Sequence, residues 1–309
     1  ITLPVFVLAN LASGLTSVLA ATDLAKPGAP DAPSINAQCR KFKVTRCAAS
    51  PAFFEGLLAS PSGIPAFKKI FTGGAPVFPD LLRRLGIALP AASIHSVYGS
   101  TEAEPIAHFP ADEASDETDA VTRRGGGLCS GIPVDEIELR IISDQWGTTL
   151  DQAGPKVDPG QAGEIIVSGG HVLTGYLDGL GDEETKIHAE GRVWHRTGDA
   201  GYFDEHDRLW LLGRCAARVD DSRGVLYPLG VEQAALRHPC IGQAAMVAHR
   251  GQRVLAVTLQ DRSPQPDLGS LLKALSFAHV DSIRILKRLP VDRRHNAKID
   301  YPALRQMLE

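Results

Sequence analysis

The sequence lacks a surplus of positive charge. Its 309 residues include 32 Lys and Arg against 36 Asp and Glu, which gives a formal net charge of −4. Proteins that bind nucleic acid usually concentrate basic residues on one face, so we expect no nucleic-acid partner. The hydrophobic share of 44% is typical of a folded protein and argues against a disordered chain.

Paired cysteine spacing is also missing. The cysteines form an odd set without a Cys-x-x-Cys motif: Cys39, Cys47, Cys129, Cys215 and Cys240. Neither a structural zinc site nor a disulfide framework is therefore predicted. We expect the reducing cytoplasm as the location of the protein.

Residues 1–22 contain no charged side chain. Such a run has two interpretations: a membrane span or signal peptide, and a buried segment of an α/β domain. No basic region precedes it, and Pro4 and several polar residues interrupt it. We therefore predict a buried strand over residues 2–9 and a helix over residues 10–20, with no membrane span. Because the chain begins at Ile1 instead of methionine, we also expect it to be a piece of a longer protein.

Helical and strand patterns alternate in the first part of the chain. Helices are predicted within residues 33–42, 51–61 and 78–89, with strands ending near residues 49, 73 and 97. This alternation predicts parallel βαβ units in an open α/β sheet.

The pattern changes twice after this region. Residues 111–127 are acidic, then basic, then triple-glycine, which predicts an exposed loop or linker. Alternating apolar residues then predict a β-rich subdomain over residues 128–213, and residues 214–309 have the pattern of a compact α+β module. The predicted divisions are thus 1–127, 128–213 and 214–309.

Two motifs follow strands of the predicted parallel sheet. The first is the turn Gly73-Gly74-Ala75-Pro76, whose glycines let the backbone approach a ligand closely. A structural turn is the simpler interpretation of this motif alone. The second is Tyr98-Gly99-Ser100-Thr101-Glu102, in which hydroxyls can hold a phosphate oxygen and the carboxylate can hold a hard cation.

Two further motifs lie in the second half of the chain. In residues 195–202, Asp199 is flanked by glycines and can accept the hydroxyls of a ribose. The alternative is a metal site made by His195, Asp199, Asp204 and His206. The last motif, residues 293–298, is a polar run that ends in Lys298, and such runs are usually solvated faces.

Together, these motifs resemble those of the adenylate-forming superfamily, which includes acyl-CoA synthetases, luciferases and the adenylation domains of peptide synthetases. The segment GGAP resembles its adenine-side motif, and YGSTE its Y-G-x-T-E motif. The segment RTGDAGYFDEHDRLWLLGR is similar to its T-G-D motif and the glycine-arginine pair that follows, and PVDRRHNAKID to its C-terminal lysine motif. The resemblance implies part of a large α/β domain with a β-rich subdomain, followed by a small mobile α+β domain that closes over the site.

The resemblance also implies a role for each matching residue. Tyr98 and Gly74 would line the adenine, and the cofactor-binding set would also include Gly73, Ala75, Pro76 and Gly99. Thr101 would hold the α-phosphate, and Glu102 would bind Mg²⁺. Asp199 and Arg214 would hold the ribose, Lys298 would be the catalytic lysine, and the hinge would follow Arg214. The implied activity is ligation through an acyl adenylate, with ATP as substrate and AMP as product.

Three departures from the family pattern are present. The Ser/Thr/Gly-rich loop that ends in Pro-Lys-Gly and clamps the phosphates does not occur in this sequence, so we expect the 309-residue chain alone to be inactive. The usual P-L-F-H element appears as Pro-Val-Phe-Val over residues 4–7. The segment 215–228 also differs from the usual run, which lines the pantetheine tunnel of thioester-forming members, and this argues against transfer to CoA.

The second and third departures, together with the segment PVDRRHNAKI, are similar to the olefin β-lactone synthetase branch of lipid metabolism. That branch adenylates a long-chain 2-alkyl-3-hydroxy acid, and the 3-hydroxyl of the substrate displaces AMP to close the ring. An internal nucleophile needs no thiol tunnel. The implied substrate is such a carboxylic acid, and association with other enzymes of the same pathway is an expectation. The alternatives are a fatty-acyl-CoA or acyl-carrier ligase, and a non-catalytic scaffold or nucleotide-binding module.

Overall fold

The fold consists of two compact units. A computed structural model describes residues 1–3, 6–24, 26–260, 267–291 and 299–309. The first unit comprises Ile1–Ser100 with Ala107–Ser115, and the second comprises Thr101–Ile106 with Asp116–Glu309. The division of the chain at residues 127 and 213 remains a prediction.

The first unit has the expected α/β alternation. Its elements, in chain order, are α1 (Phe6–Ala12), α2 (Ala32–Phe42), β1 (Arg46–Ala49), α3 (Pro51–Ala59), β2 (Lys69–Gly73), α4 (Pro79–Ala88) and β3 (Ser93–Ser100). Strands β1, β2 and β3 are adjacent and parallel, which confirms the predicted βαβ units. Strand β4 (Ala103–Pro110) has residues in both units.

Helices α3 and α4 supply the apolar layer of this unit. Each begins with proline at its first position, where the missing N–H costs no helical hydrogen bond. The helices pack against each other. Their buried side chains are Phe53, Phe54, Leu57, Leu81, Leu82 and Leu85.

The prediction for residues 2–20 was wrong. Within the described residues, the structure has a helix over Phe6–Ala12 and no strand over 2–9. Leu8 and Leu11 of this helix are 74% and 70% exposed. A short apolar run has the same composition whether it forms a strand or a helix, so periodicity could not separate the two. No helix in the described part of the chain is long and apolar enough to cross a membrane.

The second unit begins with an antiparallel β-rich region. Its elements, in chain order, are α5 (Asp116–Arg123), β5 (Leu128–Pro133), β6 (Ile137–Ile142), β7 (Gly163–Gly169), α6 (Asp182–Thr185), β8 (Lys186–Ala189), β9 (Arg192–Phe203) and β10 (Leu209–Arg214). The strand order is β5-β10-β9-β7-β6, and β8 pairs with β9. Each of these pairings is antiparallel.

Helix α5 corrects the prediction of an exposed linker over residues 111–127. Thr118, Asp119 and Thr122 are buried on this helix. The Asp119 carboxylate accepts hydrogen bonds from Arg123 and from Arg237. The charge pattern appeared solvated because the second cation lies 118 residues further along the chain.

The C-terminal part of this unit has the predicted α+β pattern. Its elements are β11 (Val219–Asp221), β12 (Gly224–Leu226), α7 (Pro228–Leu236), β13 (Ile241–His249), β14 (Gln252–Leu259), α8 (Leu268–Ala274), β15 (Ser282–Ile285) and α9 (Tyr301–Met307). Strand β14 pairs with β13 antiparallel and with β15 parallel. Helices α7 and α8 cover one core, which includes Val231, Met246, Leu255, Leu271 and Leu275.

Candidate active site

The glycine-rich motif lies at the carboxyl end of β2. Gly73 pairs with Val97 of β3, and a Cβ atom on Gly73 would lie 2.5 Å from the Val97 carbonyl oxygen. Gly74 has a φ angle of +76°, which favours glycine. Ala75 and Pro76 continue the loop toward α4. The backbone is therefore turned sharply at the strand end where α/β sheets bind ligands.

The second motif is part strand and part turn. Strand β3 continues through Ser100, so Tyr98 and Gly99 lie in a strand instead of the predicted loop. Only Thr101 and Glu102 form the turn that leads to β4. Tyr98 and Gly99 thus belong to the first unit, whereas Thr101 and Glu102 belong to the second.

The Glu102 carboxylate is bonded to Tyr176. The Tyr176 hydroxyl donates to Oε1 of Glu102 at 2.9 Å. Burial and the hydrogen bond to Glu102 raise the pKa of Tyr176 to about 12, so the phenol stays protonated near neutral pH. The backbone N–H of Leu173 donates to the Glu102 carbonyl at 2.7 Å and holds this segment beside the turn.

Lys186 contacts both the Tyr176 ring and His195. The Lys186 ammonium is 4.9 Å from the centre of the Tyr176 ring and donates to the Leu173 carbonyl at 2.6 Å. It lies 3.1 Å from Nδ1 of His195. Burial and the neighbouring Lys186 lower the pKa of His195 to about 4, so this imidazole is neutral and its Nδ1 can accept from the ammonium.

Asp199 and Arg214, both predicted to hold a ribose, are opposite each other across β9 and β10. Nη1 of Arg214 donates to Oδ1 of Asp199 and to the Thr197 carbonyl, each at 3.0 Å. The Arg214 side chain is 54% exposed, and the Asp199 side chain is 19% exposed. The pair can therefore bind a ligand from solvent without first being uncovered.

A buried ion pair that the sequence prediction missed joins β9 to β7. Nε and Nη2 of Arg196 donate to the two carboxylate oxygens of Glu164, each at 2.7 Å, and both side chains are at most 1% exposed. The Arg196 guanidinium also lies 5.2 Å from the centre of the Trp146 ring. Trp146 packs against Gly198, which has a φ angle of +69°. Residues 194–198 of β9 are all buried, and nothing in the sequence identified Glu164 as the partner of Arg196.

The segment after Arg214 has buried and exposed residues in alternation. Cys215, Ala217 and Val219 are at most 4% exposed. The Asp144 carboxylate accepts from Nη1 of Arg218 at 3.1 Å and from the Tyr227 hydroxyl at 2.9 Å. The departure from the family pattern therefore lies in a segment held by Asp144.

The alternative metal site of His195, Asp199, Asp204 and His206 does not form in the described structure. Asp204 accepts from Nε1 of Trp210 and from Arg208, while His195 is bonded to Lys186. No group of three or more His, Cys, Asp or Glu side chains forms a metal centre among the residues that the structure describes.

The single carboxylate of Glu102 nevertheless suits Mg²⁺. Mg²⁺ is usually bound through one or two carboxylates together with substrate phosphates and water. Glu102 provides that oxygen donor, next to the hydroxyl-bearing Thr101. The donor set therefore fits a magnesium ion that arrives with a nucleotide. Lys298, the predicted catalytic lysine, lies outside the described residues.

Known proteins match both the sequence and the fold. The model of the AMP-binding enzyme family matches residues 2–177. The olefin beta-lactone synthetase of Xanthomonas campestris is 34% identical over 318 residues, covering 96% of this chain and 57% of that protein. A 4-coumarate–CoA ligase of Glycine max is 30% identical over 222 residues, covering 70% of this chain and 71% of that protein.

The solved structures extend the match to the fold. The O-succinylbenzoate coenzyme A synthetase of Bacillus subtilis, in complex with ATP and magnesium, superposes with a TM-score of 0.77 at 23% identity, covering all of this chain and 60% of that one. An amide bond synthetase of Marinactinospora thermotolerans gives 0.74 at 22% identity, over 90% of this chain and 56% of that one. This confirms the expected adenylate-forming fold. The chain spans 57% of the matched β-lactone synthetase and 60% and 56% of the two solved chains, and it belongs to the AMP-binding enzyme family.

Proposed function

We propose that the chain carries the nucleotide- and metal-binding residues of an AMP-forming acid ligase. In this reaction a carboxylate oxygen attacks the α-phosphorus of ATP, pyrophosphate leaves, and an acyl adenylate forms. The observation that carries the proposal is the Asp199–Arg214 pair, which is exposed at the position where the family pattern has its ribose-binding residues.

Each predicted residue has a role in this proposal. Thr101 holds the α-phosphate, Glu102 binds Mg²⁺, and Asp199 and Arg214 hold the ribose. The adenine lies by Tyr98 and the glycine-rich loop. Lys298 neutralises charge that develops between the two reacting anions. Preorganised charge of this kind is usually the largest contribution to catalysis.

When bound, Mg²⁺ would offset the negative charge of the phosphates. Glu102 would hold it through carboxylate oxygen. Glu102 lies in the turn before β4, where its carboxylate accepts from the Tyr176 hydroxyl and its carbonyl accepts from the Leu173 N–H.

For the second step, we propose ring closure within a long-chain 2-alkyl-3-hydroxy acid. The 3-hydroxyl oxygen attacks the acyl carbon, the C–O bond to AMP breaks, and the hydroxyl proton passes to solvent, which yields a β-lactone and AMP. The two β-lactone synthetases at 34% identity support this choice over a thioester. The departure of residues 215–228 from the family pattern supports it too, since an internal nucleophile needs no tunnel for a thiol.

Residues 214–309 are proposed to act as a mobile domain with its hinge after Arg214. Closure of this domain would bring Lys298 to the site and keep water from the acyl adenylate. Cytoplasmic location and association with other enzymes of the pathway are part of the same proposal.

Product analysis tests the second step. The product of the complete gene is incubated with ATP, Mg²⁺ and a long-chain 2-alkyl-3-hydroxy acid, with and without CoA. We expect AMP and β-lactone in equal amounts, independent of CoA. Formation of a thioester without lactone would establish the acyl-CoA ligase alternative. Absence of AMP under both conditions, with nucleotide binding retained, would support the non-catalytic alternative.

A further inference from the structure

The turn that carries Glu102 is supported by residues distant in sequence. His171 bonds through Nε2 to the Pro105 carbonyl at 2.9 Å, and the Leu173 N–H donates to the Glu102 carbonyl at 2.7 Å. The segment from His171 to Tyr176 therefore runs beside the start of β4. This contact brings the Tyr176 hydroxyl within 2.9 Å of the Glu102 carboxylate.

Tyr176 is itself fixed on two sides. Its backbone N–H donates to Oδ1 of Asp182 at 2.8 Å. Its ring lies 4.9 Å from the ammonium of Lys186, whose residue is only 4% exposed. A cation on the face of a phenol ring is attracted to it, which restrains the ring. The phenol therefore has little freedom to leave Glu102.

We propose that Tyr176 is a positioning residue that orients the Glu102 carboxylate toward the magnesium ion of the bound nucleotide, and that Lys186 supports it from behind. This inference rests on the proposed function. A cation held by one protein carboxylate depends strongly on the orientation of that group, because freezing its rotation upon binding costs free energy. Groups that hydrogen-bond to metal ligands reduce this cost, and their removal typically weakens metal binding tenfold or more.

Manganese binding measures this role without requiring turnover. The product of the complete gene is titrated with Mn²⁺ in the presence of a non-hydrolysable ATP analogue, and free Mn²⁺ is followed by electron paramagnetic resonance. We expect Tyr176→Phe to raise the Mn²⁺ dissociation constant by about tenfold. In assays of adenylate formation, the half-saturating Mg²⁺ concentration should rise similarly, while kcat at saturating Mg²⁺ stays within about threefold of wild type.

Tyr202→Phe is the matched control. The Tyr202 hydroxyl donates at 2.9 Å to the Gly126 carbonyl, away from Glu102, so its removal should leave Mn²⁺ affinity unchanged. Lys186→Met keeps the phenol and should weaken Mn²⁺ binding by about threefold. This second variant keeps the inference testable if Tyr176→Phe folds poorly.

Glu102→Gln separates the inference from the proposed function. Suppose that Glu102→Gln loses Mn²⁺ while Tyr176→Phe and Lys186→Met bind it like wild type. The positioning role of Tyr176 is then wrong, and the assignment of Glu102 as the metal ligand is retained. If Glu102→Gln also binds like wild type, both the metal assignment and the inference are wrong. Weaker binding in Tyr176→Phe, with Tyr202→Phe unchanged, supports the inference.

Discussion

The Asp199 and Arg214 side chains form an ion pair that remains accessible to solvent. Antiparallel register across β9 and β10 brings together two residues that are 15 positions apart in sequence. An exposed ion pair contributes little to stability, because water solvates both charges. We therefore expect removal of this pair to weaken the proposed nucleotide binding more than it destabilises the fold.

Asp199→Asn should weaken AMP binding by at least about tenfold, since hydrogen bonds to a charged acceptor are worth more than those to a neutral one. Isothermal titration of the product of the complete gene with AMP measures this. Asp207→Asn is the control, because Asp207 is exposed at the tip of the β9–β10 hairpin and its φ of +56° suits asparagine. Equal AMP affinity in Asp199→Asn and wild type would contradict the ribose assignment.

Some residues of the candidate site could be predicted and others could not. Tyr98, Thr101, Glu102 and Asp199 belong to short motifs whose spacing is local, so the sequence is enough to make them candidates. The contact of Tyr176 with Glu102 spans 74 residues, and no periodicity encodes it. Glu164 could not be predicted as the partner of Arg196 either, because the two residues meet only when their strands pair.

At the scale of elements, β9 links the predicted ribose site to the core. Arg196 is buried on this strand with Glu164, and three residues later Asp199 is partly exposed. The change occurs at Gly198, whose positive φ angle turns the strand. A Cβ atom there would lie 3.0 Å from the Trp146 ring.

Gly198→Ala should therefore destabilise the protein more than Gly191→Ala. Both glycines have positive φ angles, +69° and +72°, and each alanine costs about 1 kcal/mol for that conformation. Only Gly198 is crowded; a Cβ on Gly191 meets no atom within 4 Å in the described structure. Displacement of Trp146 should add about 1–3 kcal/mol. Melting temperatures of the two variants compare these costs, and equal temperatures would show that Trp146 does not restrict residue 198.

Helices α7 and α9 and strand β13 meet at a buried carboxyl group. Glu232 accepts from the Met246 N–H at 2.9 Å and from the Tyr301 hydroxyl at 2.7 Å. Burial raises the pKa of Glu232 from 4.5 to about 7. The folded state thus binds this proton more tightly than the unfolded state does, so the stabilisation is complete below about pH 4.5 and is lost as pH rises through 7.

Glu232→Gln should flatten the pH dependence of stability between pH 5 and pH 8. The wild type should lose on the order of 3 kcal/mol more than the variant over this range, because glutamine keeps the acceptor oxygen and does not ionise. Urea midpoints at several pH values measure the difference. Glu309→Gln, at an exposed carboxylate, should follow the wild type. Parallel curves for wild type and Glu232→Gln would show that Glu232 is not the responsible group.

The elements themselves were predictable where local signals agreed. In the α3–β2–α4 region, proline at helix starts, apolar strands and glycine-rich turns all indicate the same boundaries. Helix α1 was missed because an apolar run without charge fits strand and helix equally. Helix α5 was missed because the charge of Asp119 is compensated by Arg237, a tertiary partner that local composition does not reveal.

At the scale of the whole molecule, the chain covers 57% of the β-lactone synthetases that it matches. The residues proposed to hold the nucleotide are present, while a Ser/Thr/Gly-rich loop ending in Pro-Lys-Gly does not occur in the 309 residues. We therefore expect the isolated chain to bind AMP weakly and to form no adenylate. Adenylation is predicted for the product of the complete gene.

Acid-dependent exchange of labelled pyrophosphate into ATP measures that first step directly. The product of the complete gene should catalyse exchange only when a long-chain 3-hydroxy acid is present. Lys298→Ala should abolish exchange, whereas Lys273→Ala, at an exposed lysine of α8, should exchange like wild type. Exchange at a near-normal rate in Lys298→Ala would contradict the catalytic assignment, and no exchange by the wild type with any carboxylic acid would contradict the proposed adenylation itself.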